Sequence, residues 1–196
     1  MIIVSGADLV GKSTFVKAVI ERLRTSYKML YAHCHLGRLP VGGDRFIEYI
    51  RLMQQHQVWD RFTLDEIAYR THDDLVSNLT PLKYSLIDAE VIRRGGLIIV
   101  MTADRAVIKR RHERIGDPVY TLDHILQVND TFAEIACDKQ HMLRGRMFNL
   151  HIDESWHVTE DNRAAFSIYA DNLVDQYVRR QQELIEIARG EEGTLL

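Results

Sequence analysis

Ile2-Ile3-Val4-Ser5-Gly6-Ala7-Asp8-Leu9-Val10-Gly11-Lys12-Ser13-Thr14 opens the chain and sets the frame for the remainder. The apolar run Ile2-Ile3-Val4, closed by Ser5-Gly6, is expected as a buried parallel strand. From Lys12 onward Phe15, Val16, Val19, Ile20 and Leu23 recur at helical spacing, which predicts an amphipathic helix to about Arg24. Between the two, Gly6 to Thr14 fits G-x-x-x-x-G-K-[ST] in full. Such a loop turns successive backbone N–H groups inward around a phosphate, and its glycines take conformations that a side chain would block. The helix adds the positive end of its dipole. Gly6, Ala7, Asp8, Leu9, Val10, Gly11, Lys12, Ser13 and Thr14 are therefore the expected ATP-binding residues. Lys12 would reach the β- and γ-phosphates and the Ser13 hydroxyl would ligate Mg2+. The motif alone leaves three classes of phosphate chemistry open: a signalling switch, a motor ATPase or a small-molecule kinase.

Outward from this loop, Met29 to Cys34 reads as a second strand and Gly37 to Asp44, rich in glycine and holding Pro40, as a loop. A short helix over Arg45–Gln55 is expected next, then a strand at Gln57-Val58-Trp59 and a helix starting at Thr63 or Asp65. Pro81 separates that helix from one over Leu82 to Arg94, which Gly95-Gly96 stops. Leu97 to Met101 is the clearest central strand, followed by a basic segment, Arg105 to Arg114. A helix from about Leu122 to Gln140, a strand from Met147 to Ile152 and a long helix from Asn162 to Arg189 complete the chain. The last helix places Phe166, Tyr169, Leu173, Tyr177, Leu184 and Ala188 on one stripe, read as core or dimer-interface packing. Strands alternating with helices imply an α/β fold, a doubly wound parallel sheet of about five strands with helices on both faces. No repeat or linker interrupts it, so residues 1–196 are expected as a single domain.

With 196 residues, 46% apolar and 27% charged, the chain is long enough to bury a core without disulfides or a structural metal. Collagen, disordered tails and disulfide scaffolds are excluded by composition. No apolar run approaches the roughly 20 residues of a membrane span, and the start of the chain lacks a leader pattern. The expectation is a soluble cytoplasmic protein. A net charge of −3 argues against coating nucleic acid. Cys34 and Cys137 are expected as buried, reduced thiols.

Asp60-Arg61-Phe62 follows the short apolar Val58-Trp59, and in a doubly wound sheet ligands gather at the carboxyl ends of strands. A carboxylate there orders Mg2+ and its waters, and an arginine grips a phosphate through its fork. Asp60 is thus a candidate metal residue alongside Ser13. Arg105, Lys109, Arg110, Arg111 and Arg114 form a cationic cluster in a chain that is acidic overall. On a helix, Arg110, Arg111 and Arg114 share an arc suited to a transferring phosphoryl group. Gly116-Asp117-Pro118 would hinge a lid over about 105–120.

The phosphate loop, the Asp-Arg-aromatic element and Glu66-Ile67-Ala68-Tyr69 together resemble thymidylate kinase and its nucleoside monophosphate kinase relatives. The resemblance implies a P-loop NTPase fold with a small lid, a Mg-dependent transfer from ATP, a nucleoside monophosphate acceptor with dTMP favoured, and a homodimer. It implies that Arg61 contacts the acceptor phosphate and that Asp8 hydrogen-bonds its deoxyribose hydroxyl. With Leu9 where some members carry an arginine, the chain resembles those that use lid arginines, here Arg110, Arg111 and Arg114, with Lys12, Asp60, Arg61, Arg110 and Arg114 as the catalytic set. Arg38, Tyr49, Arg51, Phe62 and Tyr69 complete the expected acceptor side.

The resemblance breaks at His35-Leu36-Gly37-Arg38-Leu39-Pro40-Val41-Gly42-Gly43, where thymidylate kinases carry an acid before the proline. The rival reading is a deoxynucleoside kinase, which needs a general base, typically a glutamate, at the end of the second strand. His33-Cys34-His35 stands there instead, leaving His33 or His35 as the base, and without a second ligand pair it does not read as a zinc site. More distant alternatives are a kinase acting on nucleic acid and an NTP-binding switch. The switch would need guanine-reading and γ-phosphate-sensing motifs that the chain lacks.

Overall fold

The opening apolar run forms β1 (Ile2–Gly6), and the amphipathic pattern after the loop forms α1 (Lys12–Tyr27). The computed structural model describes residues 1–29, 32–35, 44–55, 57–70, 79–140, 146–156 and 162–192. Of the expected loop from Gly37 to Asp44, residues 37–43, with Arg38, lie outside them. In chain order there follow β2 (His33–His35), α2 (Arg45–Met53), β3 (Val58–Asp60), α3 (Thr63–Arg70), α4 (Pro81–Arg93) and β4 (Leu97–Ala103). Then come α5 (Arg105–Ile115), α6 (Leu122–Gln140), β5 (Met147–Ile152) and α7 (Asn162–Glu192).

All pairings are parallel, in the order β2-β3-β1-β4-β5, so β1 and its loop occupy the middle of the sheet. Successive side chains of a strand point to opposite faces, and every residue of β1 and β4 is buried. Both faces of the sheet are therefore covered. α1 packs against α7, and α6 packs against α3, α5, β4 and β5. No helix among the described residues is long and apolar enough to cross a membrane.

Several boundaries differ from the sequence expectation for local reasons. β3 runs one residue further, so Asp60 is the last residue of the strand and pairs laterally with His35 and Val4. Pro81 does not precede α4 but opens it, behind a Thr80 cap, because the first helical position needs no N–H. Gly95 and Gly96 end α4 by donating to the carbonyls of Ile92 and Val91, the paired bonds of a Schellman motif. The buried side of α7 runs through Phe166, Ala170, Leu173, Val174, Tyr177 and Val178. Tyr169, Leu184 and Ala188 of the expected stripe are exposed instead, Tyr169 stacking on Trp156 at 5.5 Å. Cys137 is exposed on α6 and Cys34 half-buried, so the pair is not two core thiols.

The end of α4 is fastened by charge. Glu90 accepts from Arg93 Nε and Nη2 at 2.7 Å each and from Arg94 Nε at 2.6 Å. Arg94 Nη1 also donates to the Met53 carbonyl at the end of α2, at 2.8 Å. The Arg93 hydrogen bonds, with help from Arg94, hold the Glu90 carboxyl down to about 2 from an ordinary 4.5. Because the folded value is the lower one, this stabilisation is present above pH 4.5 and is lost as pH falls toward 2. Solvent screening at a helix end keeps it to about 1 kcal/mol. Glu90→Gln should lower Tm by about 2–4 °C at pH 7. In circular dichroism melts the gap to the wild type should close as pH falls below 4.5.

Candidate functional site

The chain leaves β1 at Gly6, where a Cβ would lie 2.3 Å from the Met101 carbonyl oxygen of β4, so only glycine fits. It re-enters helix at Gly11, whose φ of 100° is left-handed and which gives α1 no side-chain cap. A Cβ at Gly11 would meet Phe166 of α7 at 3.0 Å. Leu9, at φ 65°, also takes the left-handed turn. Within the loop, Lys12 is buried and its Nζ donates to the Gly6 and Ala7 carbonyls at 2.6 and 2.5 Å. Burial pushes the Lys12 ammonium below its ordinary range, while Asp8, Asp65 and Asp60 pull it back. Val10 is buried beneath the loop; Ser13 and Thr14 are exposed.

Asp8 is the hub. Its Oδ1 pairs with Arg61 Nη2 and lies 3.6 Å from Lys12 Nζ. Its Oδ2 accepts from the Tyr69 hydroxyl at 2.9 Å. Burial alone would raise the Asp8 carboxyl, yet Lys12, Arg61 and Tyr69 hold it below the usual range. Arg61 is likewise held charged against burial, by Tyr69 and Asp8, and its guanidinium lies over the Tyr69 ring at 5.2 Å. The Arg61 backbone is left-handed, at φ 76°, and its N–H donates to Val4 of β1 at 2.9 Å. A non-glycine residue in that conformation carries strain which the surrounding bonds must hold.

Asp60 sits at the carboxyl end of β3, 2% exposed. Its Oδ2 accepts from Ser13 Oγ at 3.2 Å and lies 3.2 Å from His35 Nδ1. Its Oδ1 is buried and has no hydrogen-bond partner among the described residues. A hydroxyl and a carboxylate with an unsatisfied oxygen are the donor set of a cation that keeps several waters, so the residues present fit Mg2+. Asp8, Asp65 and Asp60 set three carboxylates around Lys12.

The basic segment forms α5, and its arginines divide. Arg111 is 7% exposed and its Nη1 donates to the Leu9 carbonyl at 2.8 Å, reaching the phosphate loop from α5. Burial, then repulsion from Arg114 and Arg110, pushes Arg111 below its ordinary range. Arg110 and Arg114 are exposed.

Three acceptor-side expectations are not brought to the loop. Tyr49 and Phe62 are 0% and 1% exposed, packed on each other at 4.7 Å and on Trp59 at 6.3 and 4.8 Å. Their rings belong to the core because Tyr49, Trp59 and Phe62 close on one another. Arg51 is exposed and pairs with Glu48 one turn earlier. Other residues, not singled out in the sequence, do belong to the neighbourhood. Asp65 is buried beneath the loop, with Oδ1 3.5 Å from Gly6 N. Tyr120 and His124 stack at 4.5 Å, and Tyr120 lies 5.5 Å from Tyr69. The one signal for Asp65 was its spacing at a helix start. Tyr120 and His124 gave none, since they meet Tyr69 only through the packing of α3 on α6.

No protein-family model matches the chain, and no curated protein sequence matches it. Among solved structures, the YorR protein of Bacillus subtilis, in complex with phosphorylated GDP, is similar with a TM-score of 0.63 at 19% identity, over 87% of this chain and 95% of that one. A deoxyadenosine kinase from M. mycoides with bound dCTP has a TM-score of 0.47 at 18% identity, over 89% of this chain and 99% of its own. A gluconokinase from Sinorhizobium meliloti 1021 has a TM-score of 0.46 at 17% identity, over 94% of each chain. The chain thus shares with YorR an α/β fold, built here on a five-stranded parallel sheet in the order β2-β3-β1-β4-β5.

Proposed function

We propose that the chain is a kinase transferring the γ-phosphoryl group of ATP to a (deoxy)nucleoside monophosphate, in the manner of thymidylate kinase. The Arg61–Asp8 ion pair carries this reading: it sets a second, acceptor-side cation against the same loop whose Lys12 serves the donor. Lys12 and the loop amides from Gly6 to Thr14 hold the donor phosphates. Arg61 offers a planar fork to the acceptor phosphate, and Asp8 and Tyr69 line the acceptor sugar. Arg111, already against the loop, and Arg110 and Arg114 beside it neutralise charge on the transferring group. Ser13 and Asp60 would hold Mg2+, which neutralises phosphate charge when bound. A phosphate acceptor is ionised at neutral pH and asks for no base, so alignment and charge suffice. YorR, whose fold the chain shares, holds phosphorylated GDP, which supports a nucleotide ligand. The reading includes a homodimer, checked by sedimentation of the free protein.

One observation favours a second reading, a hydroxyl acceptor such as a nucleoside. His35 ends β2 and its Nδ1 faces Asp60 Oδ2 at 3.2 Å, an arrangement in which a carboxylate orients an imidazole base.

ADP release from Mg·ATP across a panel of nucleoside monophosphates and nucleosides separates the two. Turnover of monophosphates is expected; turnover of nucleosides alone, abolished by His35→Gln, would sustain the second reading and overturn the first. Lys12→Ala should abolish turnover while circular dichroism shows the fold intact. Arg110→Ala and Arg114→Ala should lower kcat by about a thousandfold, with ATP affinity falling far less. Unchanged kcat in both would remove them from the site.

A further inference from the structure

We infer that Asp65 is a positioning residue, one buried carboxylate that ties the first glycine of the phosphate loop to the turn at Arg61 that follows Asp60. The role assigned to it, setting donor and acceptor cations relative to one another, rests on the phosphoryl-transfer reading above. Asp65 is 4% exposed. Its Oδ2 accepts from Phe62 N at 2.8 Å and its Oδ1 from Gly6 N at 3.5 Å. Gly6 is where the chain leaves β1 for the loop, and Phe62 directly follows Arg61. The Arg61 N–H is already held by Val4 of β1 at 2.9 Å. The strained turn is therefore pinned on both sides, to β1 directly and to the start of the loop through Asp65.

A plainer role exists. Asp65 N donates to the Phe62 carbonyl at 3.1 Å, so the acid also caps the start of α3 by reaching back to the Phe62 N–H. Such a cap needs only the Phe62 bond. It accounts neither for the second arm to Gly6 nor for a buried charge in electrostatic reach of Lys12 and Arg61. Burial disfavours the Asp65 carboxylate, and Lys12 counters it most strongly; a group kept at that cost for helix capping alone would be better placed in solvent.

The two roles differ in what they disturb. Asp65→Asn puts an amide donor where one of the two N–H groups needs an acceptor, which breaks one arm. Thr80→Ala serves as the matched control, since it removes the cap of α4, where Thr80 Oγ1 accepts from Lys83 N at 3.3 Å, away from the loop. Mg·ATP affinity by calorimetry and steady-state kcat are compared well below each Tm. Asp65→Asn should bind ATP about tenfold more weakly and turn over about a hundredfold more slowly. Thr80→Ala should lose stability yet keep both values within about twofold, as expected for a cap remote from the chemistry. Should Asp65→Asn fail to fold, Asp65→Glu keeps the charge and the cap but lengthens the arm, and should still weaken ATP binding. Wild-type affinity and kcat in a folded Asp65 variant would overturn the inference. A wild type that turns over no acceptor would instead overturn the kinase reading, and the ATP affinities would still decide the role of Asp65.

Discussion

Backbone meets backbone at Gly6, and the site depends on that contact. The parallel ladder between β1 and β4 runs to the pair Gly6 and Met101, and a Cβ on Gly6 would sit 2.3 Å from the Met101 carbonyl oxygen. The chain can hug β4 to the last residue of β1 only because that residue has no side chain. The turn that follows is short enough for Lys12 to fold back and reach the carbonyls of Gly6 and Ala7. A wider exit would move Lys12 away from those carbonyls and Asp8 away from Arg61. The apolar core on both faces of the sheet holds the exit in place.

Charge is then arranged on this rigid base. Asp8 accepts from or pairs with Arg61, Tyr69 and Lys12, and Asp60 with Ser13 and His35. Buried ion pairs contribute little net stability, because desolvation offsets their attraction. Their value here is positional, since they set long cationic side chains against fixed partners around the loop. Arg111 adds a second guanidinium from α5, bonded to the Leu9 carbonyl.

Much of this was legible in the sequence because it is local. The β1–loop–α1 unit is contiguous and its spacing carries its geometry, and Asp60-Arg61 was readable as a polar pair ending an apolar strand. The reading failed where a residue's role depends on what another element places opposite it. The family resemblance implies an acceptor-side role for Tyr49 and Phe62, yet both rings are buried against Trp59. Arg110, Arg111 and Arg114 were read as one cluster, but only Arg111 turns inward to the loop. Asp65 has the sequence position of an ordinary helix-start acid, and only the fold sets it beside Gly6 of β1.

The sequence by itself determined the strand, the phosphate loop and the helix, because hydrophobic periodicity and glycine placement act over neighbouring residues. It also determined that Asp60 and Arg61 would stand at the end of a strand. The tertiary structure alone decided which groups meet: Asp8 with Arg61 and Tyr69, Asp60 with Ser13 and His35, Asp65 with Gly6, and Arg111 with Leu9. Those contacts join residues far apart in the chain, and their geometry follows from strand order and helix packing, which no local pattern encodes.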